Sequence, residues 1–283
     1  MDREEIDERM KAVLTPKFDA LRKALYASVR AAQPSEELVI ETSPILVDAV
    51  EGLYVAFKPY RMNDPFDFCD HCISTQDVAR LRATPLRALN HDDLWMVATN
   101  ITLTIGDDRD FRYFLPRLVE GLVENALYDA EIVFGRFAGL GYYDWPHAER
   151  QAVERYLWAQ FETNLSHKPR PPGIGAIDRL VRCIGWVPIP LSPFLEAWLG
   201  RTDDFSRRNL GQYLYADVSV EADRLVNPFW SSAGSRQVLD WLHRPETVSY
   251  AKASYELFPF NDSATDSKMR RKLEAMARAS APD

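Results

Sequence analysis

Cys69-Asp70-His71-Cys72 is the stretch whose residue types and spacing could do chemistry. Two thiolates this close can share one soft metal ion, so the pair has the form of half a zinc site. A tetrahedral ion needs two more ligands, and the chain has no second Cys-x-x-Cys to supply them. Cys183, His71, His91, His147, His167 and His243 are the other thiol and imidazole donors. No cofactor is required, and zinc is the one that Cys69 and Cys72 would admit. Redox chemistry is the other active reading, because a helix N-terminus and a neighbouring imidazolium lower a thiol pKa. A thioredoxin-like site also needs a preceding strand, and Asn63-Asp64-Pro65-Phe66-Asp67 does not read as one. Two thiols at a helix entrance, with neither metal nor turnover, is the plainer reading and is favoured over both.

A second charged cluster follows at Gly106-Asp107-Asp108-Arg109-Asp110-Phe111-Arg112-Tyr113-Phe114-Leu115-Pro116-Arg117-Leu118. Asp107, Asp108 and Asp110 could hold a hard cation. Their spacing misses the calcium-loop pattern, however, and the first turn of a helix favours carboxylates anyway. Arg109, Arg112 and Arg117 lie among aromatics and could recognise a carboxylate or phosphate. Pairing with Asp107, Asp108 or Glu120 at helical spacing is preferred. The candidate partner contacts are therefore Asp107, Asp108, Arg109, Asp110, Arg112 and Trp145, since tryptophan on a helical surface is a common interface anchor. The candidate metal ligands are Cys69 and Cys72. There is no Gly-x-Ser-x-Gly elbow, His-Glu-x-x-His or P-loop, so no catalytic residue is assigned.

The elements that must position these residues read as helices. Polar and apolar spacing predicts helices over residues 2–14 and from Thr15-Pro16 to Pro34. Ser43-Pro44 opens another, with Ile45, Val47, Val50, Leu53, Tyr54 and Phe57 as its apolar set. Ser74-Thr75-Gln76-Asp77 resembles a capping box, and Asn90 with Asp93 caps the next helix, whose helical spacing runs to Ile105. Pro116 lies inside the apolar stripe that begins at Phe111, which implies either a kink or a restart. Asp129 to Leu140 reads as a helix closed by Gly139 and Gly141, and Asp144-Trp145-Pro146 starts one more. Shorter patterns follow near 174–184, 192–199, 203–226, 234–243 and 246–258. No segment alternates with period two.

The prediction is an all-α fold of antiparallel helical pairs, HEAT-like or an irregular α-solenoid. The Pro169-Arg170-Pro171-Pro172 connection suggests an N-terminal helical subdomain at 1–168 and a C-terminal one at 169–260. Residues 261–283 form a polar tail, in which Met269, Leu273 and Met276 could mark an amphipathic helix and the basic residues a solvated, frayed end.

Composition narrows the partners. The chain carries 34 Lys and Arg against 42 Asp and Glu, a formal charge of −8, so nucleic acid and anionic lipid should be repelled. Three cysteines make no disulfide framework. Met1-Asp2-Arg3-Glu4-Glu5 lacks a signal-peptide apolar core, and the uncharged stretch Cys183 to Leu195 is broken by Pro188, Pro190 and Pro193. The expectation is cytoplasmic, without a membrane span.

The motifs Cys69-x-x-Cys72, Thr84-Pro85-Leu86-x-x-Leu89, Gly106-Asp107-x-x-Asp110-Phe111-Arg112-x-Phe114-Leu115-Pro116-Arg117-Leu118 and Asp144-Trp145-Pro146-x-Ala148-Glu149-Arg150 carry a resemblance. On them the chain resembles a family of uncharacterised bacterial proteins, over about residues 50–165. The resemblance implies a helical, HEAT-like fold and brings no activity, cofactor or catalytic residue. The functional expectation is a non-enzymatic interaction protein that binds a protein partner, of the immunity or regulatory kind, with an acidic surface suited to a basic one. The alternative is a zinc- or thiol-dependent enzyme or sensor centred on Cys69 and Cys72.

Overall fold

The structure is a computed structural model that describes residues 43–123, 130–169, 177–219, 224–225, 227, 230–258 and 263–280. The helices expected before Pro34 lie outside them. Among the described residues twelve α-helices form: α1 (Pro44–Ala56), α2 (Thr75–Ala83), α3 (His91–Asn100), α4 (Asp108–Val123), α5 (Ala130–Phe134) and α6 (His147–Leu165), then α7 (Ile177–Trp186), α8 (Ser192–Leu199), α9 (Asp204–Asp217), α10 (Ser232–Leu242), α11 (Pro245–Leu257) and α12 (Ser263–Ala279). The fold is all-α. Among the described residues the one sheet is a pair of two-residue antiparallel strands, Val218–Ser219 and Arg224–Leu225, where the sequence predicts a longer helix. No helix among the described residues is long and apolar enough to cross a membrane.

The chain divides into two compact units. One contains residues 57–123 of the described chain, with α2, α3 and α4; the other contains residues 43–56 and everything described from Ala130 onward. In the first unit the caps are those that the sequence announces. The Ser74 hydroxyl accepts from the Asp77 N–H while the Asp77 carboxylate accepts from the Ser74 N–H, and Asn90 and Asp93 form the same reciprocal box. Asp93 is buried and receives the Arg80 guanidinium at 2.8 Å, which ties α2 to α3. Helix α3 ends at Asn100, five residues short of Ile105. The Asn100 carbonyl accepts from the N–H groups of Leu103, Thr104 and Ile105, and Thr102 takes a left-handed φ of 62°. Helix α4 runs continuously through Pro116. Interior proline costs about 3 kcal/mol, and the buried stripe of Phe111, Phe114, Leu115, Leu118 and Val119 outweighs it.

In the second unit α1 packs on α6, α5 on α7, and α9 on both α11 and α12. Helix α5 stops at Phe134, and Gly141 provides the left-handed turn (φ 61°) before α6. Phe161, Phe194, Trp198, Tyr213 and Trp241 form a continuous aromatic core. Helix α12, a frayed tail by sequence, buries Met269, Leu273 and Met276, and Lys272 caps the end of α9 by donating to the Leu214 and Tyr215 carbonyls. Lys272 is itself buried, with its ammonium 5.8 Å from the Tyr215 ring centroid.

Candidate functional site

Cys69 lies in a tight turn built by backbone bonds. Its carbonyl accepts from the N–H groups of Cys72 (2.9 Å) and Ile73 (3.2 Å), while its own N–H donates to the Thr104 carbonyl at 2.8 Å. The Gly106 N–H donates to the Asp67 carbonyl, so Phe68 and Ile105 meet as a single antiparallel bridge. Phe66 and Ile73 are buried on either side and pin the turn to the first unit. Its exposed side carries Asp70, His71 and Cys72.

The side chains converge. Cys69 Sγ is 3.7 Å from His71 Nδ1, and the same nitrogen is 3.2 Å from Asp70 Oδ1. Among the described residues, Cys69, Asp70 and His71 form the one group of three metal-ligating side chains whose donor atoms all lie within 4.8 Å of one another. Cys72 is exposed, and both it and Cys69 are free thiols. The His71 backbone N–H, then its imidazole, hold the Cys69 thiol below the usual thiol range; burial opposes them, and Cys72 adds a lesser lowering. A thiolate so placed can act as a nucleophile or a soft-metal ligand. Cys183, a sequence candidate for the fourth ligand, is buried on α7 in the other unit.

The acidic cluster is structural in its arrangement. Asp107 Oδ1 accepts from the N–H groups of Arg109 (2.8 Å) and Asp110 (3.0 Å), and Asp110 Oδ2 accepts from the Asp107 N–H at 3.1 Å. That is a reciprocal cap on α4. Asp110 is 0% exposed and also receives the backbone N–H and the side-chain amide of Asn63. Burial pushes its carboxyl above the ordinary range, and the N–H donors of Asn63 and Asp107 oppose that. Arg112 pairs with Asp108 at 2.8 Å and donates to the Tyr60 hydroxyl, while Arg117 donates to the Leu89 carbonyl and to Glu120. Of the residues expected to meet a partner, Asp107 and Arg109 are exposed, Asp108 and Arg112 half-buried, and Asp110 buried.

Trp145, the remaining expected contact, is 2% exposed. Its indole N–H donates to the Leu140 carbonyl and its ring meets Phe137 and Tyr142. It closes the turn into α6 and is not available to a partner.

Two features have no signal in the sequence. Asn63, in a polar connection 47 positions before Asp110, donates to that carboxylate; a lone asparagine in such a connection carries no signal of this. The other is the outward face of α1, where Ile45 (63% exposed), Val47 (45%) and Val55 (72%) surround Asp48 and Glu51. Leu46, Ala49, Val50 and Leu53 occupy the buried arc against α6. A helical wheel at 3.6 residues per turn separates the two arcs and puts Val55 at the outward pole. No protein-family model, curated protein or solved structure matches the chain.

Proposed function

We propose that this protein is a non-enzymatic helical interaction protein, an immunity or regulatory factor of the cytoplasm, which binds a basic protein partner through the outward face of α1. One observation carries the reading: three large aliphatic side chains stand exposed on a helix whose opposite face is anchored in a packed core. Solvated helix faces are normally polar. The interleaved Asp48 and Glu51, and the overall charge of −8, favour a partner that presents apolar side chains among lysines and arginines. The same charge disfavours nucleic acid. The reciprocal cap of α4 supports the reading indirectly, because it commits Asp107 and Asp110 to folding.

Capture from native lysate at low and high salt tests it. The expected result is a basic protein held at low ionic strength and recruited more slowly as charges are screened over a Debye length of about 8–10 Å. Recovery of acidic proteins alone, or of the same proteins by an unrelated acidic helical protein, contradicts it.

A second reading, a zinc- or thiol-dependent sensor or enzyme at Cys69 and Cys72, is favoured by the approach of Cys69 and Asp70 to a single nitrogen of His71.

A further inference from the structure

The turn before α2 brings three lone-pair donors to one point. His71 Nδ1 carries at most a single proton, yet a thiol sulfur approaches it at 3.7 Å and a carboxylate oxygen at 3.2 Å. If His71 is neutral with Nδ1 unprotonated, all three atoms direct electron pairs inward. A tetrahedral zinc ion with bonds of about 2.3 Å to sulfur and about 2.0 Å to nitrogen and oxygen has a sulfur–nitrogen edge of about 3.5 Å and a nitrogen–oxygen edge of about 3.3 Å. The observed separations match both within two tenths of an ångström. Two of the three edges thus suit an ion of that radius, and the third, from sulfur to oxygen, is no longer than 4.8 Å.

Preorganisation adds to this. The Cys69 backbone is fixed by its N–H bond to Thr104 and by the two N–H groups that its carbonyl accepts, and buried Phe66 and Ile73 flank the turn. The loop that receives the Cys69 N–H holds Thr102 at a left-handed φ. For a β-branched residue this conformation is an outlier, of the sort that accumulates around ligand sites. Charge also balances, since a thiolate and a carboxylate offset a divalent cation.

We propose that Cys69 Sγ, Asp70 Oδ1 and His71 Nδ1 bind a divalent cation of the zinc class, with the fourth position open to solvent or to Cys72. Thiolate and imidazole together select zinc-class ions over magnesium or calcium. This deepens the second reading and is independent of binding through α1. It also departs from the pairing that Cys-x-x-Cys spacing alone implies. Cys69 is the anchor, its neighbours Asp70 and His71 complete the set, and Cys72 is not one of the three converging donors.

Cobalt(II) titration of the full chain, with a phosphine reductant and no chelator, tests the assignment, cobalt standing in for zinc. The expected result is stoichiometric binding with a sulfur-to-cobalt charge-transfer band, displaced by zinc. Cys69→Ser should abolish the band, and His71→Ala should weaken binding by about tenfold or more. Asp70→Ala should weaken it in the same direction, while Cys183→Ser should leave it unchanged. Circular dichroism establishes that each variant is folded. A folded wild-type protein without the band overturns the metal assignment, as does a band that survives Cys69→Ser. If the band is absent but Cys69 still alkylates faster than an ordinary thiol, the thiol arm of the second reading stands while the metal falls. If Cys69 is also unreactive, both fall.

Discussion

Cys69 draws its acidity from its immediate neighbours more than from the fold at large. The largest contribution is the His71 backbone N–H, followed by the imidazole, and both lower the thiol pKa. The pH profile of alkylation by iodoacetamide should therefore show Cys69 reacting through an inflection below that of a solvent-exposed model cysteine. His71→Ala should raise the inflection only in part, because the backbone donor survives the substitution. Peptide mapping across a pH series reads this directly, and an inflection at the ordinary thiol value would refute it. The sign for stability follows: a depressed folded pKa contributes stability above the unfolded thiol pKa, and that contribution is lost as pH falls through the folded value. At this scale much is legible in the sequence, since Asp70 and His71 adjoin Cys69 in the chain. Asp110 is the contrary case. Its burial depends on Asn63, 47 positions away, and nothing in Gly-Asp-x-x-Asp distinguishes the carboxylate that stays exposed from the one that does not.

Helix starts are legible where the signal is local. Ser74 with Asp77 and Asn90 with Asp93 bond as their spacing requires. Helix ends are less so. Apolar spacing continues past Asn100 to Ile105, but Ile101 and Ile105 are buried from a turn and not from a helix, and a periodic pattern cannot separate the two. The turn depends on Gly106, which sits at φ 57° where a Cβ would lie 2.8 Å from Ile101 Cδ1 and 2.9 Å from Asp110 Cβ. Left-handed backbone in a residue with a Cβ costs about 1–2 kcal/mol, and overpacking adds about 1–3 kcal/mol. Gly106→Ala should therefore destabilise the protein by about 2–5 kcal/mol in urea denaturation, with an unchanged m-value. A loss below about 0.5 kcal/mol would show that the loop tolerates another conformation. Because the Cys69 N–H donates to Thr104 in this loop, the same variant should also move the Cys69 alkylation profile toward an ordinary thiol.

For the molecule as a whole, composition and periodicity were enough for the all-α class, since neither depends on which helix meets which. Pairing does depend on it. Helix α1 finds its buried partner in α6, far along the chain. That long-range contact buries Leu46 and Leu53 and leaves Ile45, Val47 and Val55 outside. An apolar count along residues 44–57 treats both sets alike, which is why the outward face emerges only from the packed structure. Partner binding through that face is the central claim. Its most direct measurement is the affinity of the captured partner for the wild-type chain and for Val55→Lys, by titration calorimetry at one salt concentration. Val55 is 72% exposed, so the substitution should leave the fold and its melting midpoint unchanged while placing a like charge against a basic surface. The expected affinity is at least about tenfold weaker, a cost of about 1.4 kcal/mol or more. Equal affinity in a folded Val55→Lys variant would contradict it.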